Sequence, residues 1–239
     1  AESFSDDFEV KTAANGEQGM EQALNSIPDI IVSDIMMPVM NGIMMCKILK
    51  EDVRTSHIPI ILLTAKDSLQ DKEEGYQVGA DSYLTKPFSA TLLHSRINNL
   101  LESRKRLTER FNTSTPHHNM DEKRALLAES LNKLDNEFIE KINQLIEARL
   151  SSEKIDIGYL ADNMCMSKST LYRKMKALTG LSTNEYVRKI KMQHAERLLL
   201  EGRYNISEVA FRVGINSVVY FRQCFKEEFG VLPSEYLKQ

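Results

Sequence analysis

At 239 residues, with 42% hydrophobic and 27% charged residues, the chain has the length of about two domains and an ordinary globular composition, so a single large core is unnecessary. Its net charge of −3 conceals an asymmetry: residues 1–111 hold 12 Lys and Arg against 17 Asp and Glu (−5), whereas residues 154–239 hold 14 against 9 (+5), so the second half suits phosphates and the first does not. Three scattered cysteines, Cys46, Cys165 and Cys224, exclude a disulfide framework and a zinc site, and no apolar run of about eighteen residues or signal-like start is present, so a cytoplasmic segment without membrane contact is expected.

From Phe8 onward, short β-rich runs alternate with amphipathic stretches. Strands are predicted at Glu9–Ala13, Ile30–Ser33, Ile60–Thr64 and Ser82–Thr85, with helices at Gly16–Ser26, Gly42–Glu51, Gln70–Ala80 and Ala90–Arg110. That order implies an α/β unit: a doubly wound parallel sheet with helices on both faces. Loops at the carboxyl ends of such strands converge on one crevice. Asp34, Thr64 and Lys86 occupy those ends. A carboxylate can attack phosphorus, a hydroxyl can bond a new phosphoryl oxygen, and an ammonium can neutralise the added charge. Taken singly, Asp34 reads as a turn carboxylate and Thr64 as a strand residue; as a trio they read as a phosphoaspartate site.

Asp34-Ile35-Met36-Met37-Pro38 with Asn41-Gly42, Leu63-Thr64-Ala65 and Lys86-Pro87-Phe88 resemble a bacterial response-regulator receiver domain over roughly residues 1–105. The resemblance implies a flavodoxin-like fold with Asp34 as phosphoacceptor, Thr64 as switch hydroxyl, Tyr83 as rotating switch aromatic, Lys86 as phosphate-binding lysine, and a cis Lys86-Pro87 bond. It also implies a first strand ending in an acidic pair that holds Mg²⁺, and no such strand is visible. Ala1–Phe4 reads as the tail of a first helix, and Asp6-Asp7 precede the second strand, so neither is assigned to metal. The expectation is an amino-terminally truncated receiver that lacks its first strand, does not itself bind the Mg²⁺ of the complete receiver, and phosphorylates poorly.

Asn112–Asn119 is polar and contains Pro116, which breaks the helical pattern. It divides the chain into a receiver at 1–111, a linker with connecting helix at 112–135, and a carboxyl-terminal domain at 136–239. His117 and His118 read as solvated, with no third ligand beside them. Asp121–Leu134 and Asn136–Arg149 are predicted helices that either dock onto the last domain or form a dimer contact.

The last third is duplicated. Ser167, Lys176, Gly180, Glu185 and Tyr186 recur fifty residues later as Ser217, Lys226, Gly230, Glu235 and Tyr236. In each copy a Ser able to cap a helix precedes an apolar i, i+4 pair, Leu171 and Met175 or Phe221 and Phe225, before a Gly able to end it. Shorter apolar segments, Ile155–Asn163 and Ile206–Val213, come first across a turn, giving two helix-turn-helix candidates in an all-α domain. In the first copy Lys168, Ser169, Tyr172, Arg173 and Lys176 fall away from the apolar face. Arg173 is the expected guanine reader, and Lys168, Lys174 and Lys176 the expected phosphate contacts. The second copy offers Val218, Val219, Arg222, Gln223 and Lys226: the valines for thymine methyls or for packing within the protein, Gln223 for adenine, Arg222 for guanine or phosphate. Asn184–Glu201 is a spacer helix able to set both heads in major grooves about 34 Å apart.

Leu160-Ala161, Ser167–Arg173, Ala195–Leu199, Ile206–Ala210, Val213-Gly214, Phe225-Lys226, Phe229-Gly230 and Pro233–Tyr236 resemble the AraC-type DNA-binding domain over about residues 136–239. Ile215 stands where that family usually has Phe, and Thr183 where its first repeat often has Pro. Together the two resemblances imply a phosphorylation-controlled, sequence-specific DNA-binding transcription regulator of a two-component system. Its implied partners are double-stranded DNA, a histidine kinase phosphodonor within the same parent polypeptide or apart from it, and a second copy on DNA. The alternative is an architectural DNA binder that uses the receiver only to dimerise. A phosphoaspartate hydrolase is the rival from another class, but no second catalytic acid or substrate-pocket signal accompanies Asp34, so the chain is read as a non-enzyme.

Overall fold

The computed structural model describes residues 7–65, 78–112, 131–151 and 155–237. Two compact units, Ala1–Arg106 and Leu107–Gln239, divide the chain five residues before the boundary expected from the linker composition.

In the first unit the elements run α1 (Gly16–Ser26), β1 (Ile31–Asp34), α2 (Gly42–Glu51), β2 (Ile60–Thr64), β3 (Ser82–Thr85) and α3 (Ala90–Asn112). Asn15 and Asn41 cap α1 and α2 by accepting from the Gln18 and Met44 amides, so both helices start where a short polar side chain can satisfy an orphan N–H. The three strands are parallel in the order β1-β2-β3, with Asp34 opposite Leu63 and Thr64 opposite Thr85. Central β2 is apolar on both faces because both are covered. Ile60 and Leu62 join Ala23, Met45, Cys46 and Leu49 on the α1 and α2 side, while Ile61 joins Leu84, Leu93 and Ile97 under α3. Each such Ile, Leu or Met side chain, fully removed from water, contributes roughly 1.5–3 kcal/mol. Asp81 ties the strand beginnings together, accepting from the Ile60 amide at 2.8 Å and from Lys50 at 2.7 Å.

The expected strand at Glu9–Ala13 is not formed. A strand exists through hydrogen bonds to a neighbour, and none of the described residues supplies one beside this segment. Thr12 instead accepts a hydrogen bond from the Gln22 side chain at 3.0 Å. β1 is consequently an edge of the described sheet, and Val32, on the α3 side of it, is exposed. Most of the helix predicted at Gln70–Ala80 and most of that at Asp121–Leu134 lie outside the described residues. The Lys86-Pro87 bond is cis, as the resemblance implied.

The second unit is helical: α4 (Lys133–Glu147), α5 (Ile157–Asn163), α6 (Lys168–Thr179), α7 (Thr183–Leu200), α8 (Ile206–Arg212), α9 (Val218–Phe229) and α10 (Pro233–Tyr236). Four of the five repeated identities have a structural task, and the lysines lend only their backbone carbonyls. Ser167 and Ser217 accept from the Thr170 and Tyr220 amides and start α6 and α9. Gly180 and Gly230 end them at φ 73° and 78°, a left-handed backbone that favours glycine, and donate to the carbonyls of Lys176 and Lys226. Glu185 and Glu235 reach back to the Ser182 and Leu232 amides at the next helix starts. Tyr186 and Tyr236 are buried, with hydroxyls donating to Asn143 and Glu196. Around them pack Phe138, Ile142 and Ile146 of α4, and an aromatic cluster of Phe221, Phe225, Phe229 and Tyr236. Among the described residues no helix is long and apolar enough to cross a membrane.

Candidate functional site

In the first unit Asp34, Thr64 and Lys86 meet at the carboxyl ends of β1, β2 and β3. Lys86 is joined to Asp34 by a direct ion pair, and the Lys86 amide donates to the Thr64 carbonyl at 2.8 Å, which fixes the lysine's origin one step beyond the strand. Both charged side chains stay partly open to solvent, at 44% for Lys86 and 35% for Asp34, as an incoming group requires. The Asp34 carboxylate also accepts from the Met36 amide at 3.3 Å. The start of α2 lies against the Asp34 main chain because residue 42 has no side chain: a Cβ there would lie 2.2 Å from the Asp34 carbonyl oxygen. Thr64 is buried, with its hydroxyl donating to the Ala65 carbonyl at 3.2 Å. Tyr83 is half-buried and packs inward against the cluster around Cys46 and Leu49. Asp7 lies at α3, where it accepts from His94 at 3.1 Å.

The second unit presents two exposed rows. On α6, Lys168, Ser169, Tyr172, Arg173 and Lys176 are all exposed, while Leu171 and Met175 are fully buried beneath them. Lys168 lies across the start of α5, where a Cβ on Gly158 would come within 3.2 Å of its ammonium. Lys174 does not belong to that row. It is wholly buried and pairs with Asp135 of α4 at 2.5 Å, above the Phe138 ring at 4.9 Å, so it cannot contact a phosphate. On α9, Val219, Arg222, Gln223 and Lys226 are exposed, whereas Val218 is half-buried, one step closer to the core than the sequence pattern implied. Tyr220, which sequence reasoning passed over, is 49% exposed at the start of the same helix. An aromatic residue beside two valines on an otherwise polar face was the available signal.

Residues 2–98 match the family described as the response regulator receiver domain, and residues 160–239 match a helix-turn-helix domain family. This chain joins a receiver domain to an AraC-type helix-turn-helix domain. Over 230 residues, 96% of this chain and 16% of the other, it is 35% identical to histidine kinase P4 of Formosa agariphila. The receiver alone is 42% identical over 93 residues to the response regulator PleD of Caulobacter vibrioides, covering 39% of this chain and 20% of PleD. Among solved structures, the C-terminal domain of AraT, a response regulator from Geobacillus stearothermophilus, is similar at 31% identity and a TM-score of 0.39, covering 42% of this chain and 84% of that one. The chain spans a fifth or less of the length of these two curated relatives.

Receiver domains use Mg²⁺, a hard cation that takes several oxygen ligands. Among the described residues no three His, Cys, Asp or Glu side chains converge, and Asp34, already paired with Lys86, is the one carboxylate at these strand ends. The donor set among the described residues therefore does not fit the ion. Elsewhere the receiver carries one inert thiol: burial pushes Cys46 up to about 11. In the helix-turn-helix domain a hydrogen bond with Cys224 raises Tyr220 above the ordinary phenol range, so its hydroxyl stays neutral at the exposed start of α9.

Proposed function

We infer that the chain is the phosphorylation-controlled, sequence-specific DNA-binding part of a two-component transcription regulator. The single observation that carries this reading is the pairing, in one polypeptide, of an open Asp34–Lys86 acceptor site with two identically capped helices whose outer rows are polar and basic. Asp34 is the proposed phosphoacceptor. Its carboxylate oxygen attacks the phosphorus of a phosphohistidine donor, a P–O bond forms as the P–N bond breaks, and the leaving imidazole takes the electron pair. Lys86 then follows the charge from the carboxylate to the phosphoryl oxygens, and the Thr64 hydroxyl turns from the Ala65 carbonyl to donate to one of them. The space left by Thr64 draws Tyr83 further inward and biases the unit toward a second state.

Arg173 and Gln223 are the proposed base readers, with Lys168, Lys176 and Lys226 on phosphates and Ser169, Tyr172, Val219 and Arg222 completing the two contact rows. Half-buried Val218 lies at the edge of the second row. Because the similarity to histidine kinase P4 runs through both units, the phosphodonor is proposed to lie in the same parent polypeptide. Phosphorylation is proposed to favour a homodimer on DNA within the cytoplasm.

The decisive experiment uses the longest parent chain that contains these residues. Phosphate incorporation is measured for it and for Asp34→Asn, and each form is titrated with DNA selected from a random pool. Labelling that disappears in Asp34→Asn, with operator affinity or oligomeric state changing on phosphorylation, supports the proposal. Labelling without change in either would leave the receiver as a dimerisation module of an architectural binder.

A further inference from the structure

Gln223 is the one proposed base reader whose chemistry is ambiguous until something orients it. A guanidinium is a donor at every edge, so Arg173 presents the same pattern however its plane turns. A carboxamide has one donor end and one acceptor end, and half a turn about its last bond exchanges them. Adenine in the major groove asks for both at once: an acceptor for N6–H and a donor for N7.

Glu227 resolves that ambiguity. One turn further along α9, its carboxylate accepts from the Gln223 Nε2 at 3.1 Å, and a carboxylate can accept only from the NH₂ end. The amide is thereby held one way round, with its oxygen and its second N–H available to a base. Glu227 is in turn fixed from outside the helix. Arg188 on α7 lies 3.4 Å from the other carboxylate oxygen and also bonds to Tyr220. Next to it, Lys189 pairs with Glu228 at 3.1 Å, and Lys191 donates to the Gly214 carbonyl at 3.3 Å, so three cations of α7 hold α9 and the turn before it. The first repeat has no counterpart to Glu227: fifty residues earlier stand Arg173 and Ala177 in place of Gln223 and Glu227. The acid occurs in the copy whose reader needs orienting.

We propose that Glu227, held by Arg188, is a specificity-determining positioning residue that sets the Gln223 amide to read an A·T pair. This rests on the reading of α9 as a groove-entering helix. Arg188 also offsets the repulsion that an unpaired acid would exert on nearby phosphates.

The test uses the full chain and an operator obtained by selection from random DNA. Relative affinities for all four bases at every operator position are measured for the parent, Gln223→Ala, Glu227→Ala, Glu227→Gln and the double variant. Gln223→Ala is expected to erase a preference of about tenfold at one A·T pair. Glu227→Ala should weaken that same preference at least about threefold, leave other positions unchanged, and keep or raise affinity for random DNA. The double variant should match Gln223→Ala, and Glu227→Gln, which retains an acceptor without the charge, should fall between parent and Glu227→Ala. A parental profile in Glu227→Ala, or a loss spread evenly over all positions as a purely structural role would give, overturns the proposal. Gln223→Ala without effect at any position removes the base reading beneath it, and the proposal with it.

Discussion

Removing the Asp135 carboxylate should be among the most damaging single changes in the helix-turn-helix domain. Asp135 and Lys174 are 3% and 0% exposed and meet at 2.5 Å, so Asp135→Ala removes the counter-charge of an ammonium held in a dry site beside the face of Phe138. Breaking a buried pair from one side costs about 3–5 kcal/mol, a large share of the roughly 5–15 kcal/mol that holds a domain folded. At about 3–6 °C per kcal/mol for a unit between the small-domain and large-domain ranges, the thermal midpoint of the second unit should fall by on the order of 10 °C or more. The control lies on the same helix: Lys133 and Glu137, 3.8 Å apart and mostly exposed, should lose less than about 1 kcal/mol on Glu137→Ala. Replacing both members of the buried pair, Asp135→Leu with Lys174→Met, should restore most of the loss, since the charges are removed together. Scanning calorimetry of the full chain, following the transition of the second unit, measures all three. A loss below about 1 kcal/mol for Asp135→Ala would refute the reasoning, because it would mean that the Lys174 ammonium reaches water.

Other consequences can be measured directly. Arg173→Ala should cost about 1–3 kcal/mol at one base position of the selected operator, whereas Lys176→Ala should weaken binding to all sequences alike and lower the salt slope by about one; equal losses on specific and random DNA would remove Arg173 from base reading. Burial, with Arg197 adding to it, holds His194 below its usual value of 6.5. The unfolded chain therefore binds the proton first, and stability from this group is intact above pH 6.5 and falls as pH drops through 6.5 toward the folded value. His194→Gln should flatten the stability profile between about pH 7 and 5, and an unchanged profile would contradict that sign. Exposed Cys165 should be alkylated by iodoacetamide in the native protein well before Cys46, whose buried thiol is pushed up to about 11; mass mapping of the alkylated sites reads the order.

Much of the architecture was legible because the signals were local. The helices at Gly16–Ser26 and Gly42–Glu51 begin at asparagine caps and carry uninterrupted 3.6-residue stripes, and their bounds coincide with those read from the chain. Both serine-capped, glycine-ended helices of the duplication were equally plain. What stayed hidden depended on partners remote in sequence. Glu9–Ala13 has strand-like residues but no bonding neighbour among the described residues, and alternation alone does not make a strand. Lys174 occupies the i+3 position of the inward stripe formed by Leu171, Met175 and Leu178, so periodicity placed it inside while its charge argued for outside. Asp135, thirty-nine residues away, decided the matter. The Gln223–Glu227 contact is an i, i+4 pair that the sequence offers openly, but its anchor on Arg188 appears only once α7 lies against α9.

The matched ends of α6 and α9 make the two heads interchangeable in length, since each runs twelve residues from a serine to a glycine. Their outward faces have diverged while start and stop remained the same, so on the proposed reading one polypeptide would carry two unlike words and have a front and a back on its target. Transplanting the exposed residues of one copy onto the other would alter the message without touching the frame, and a chain bearing the same word twice should select a direct repeat.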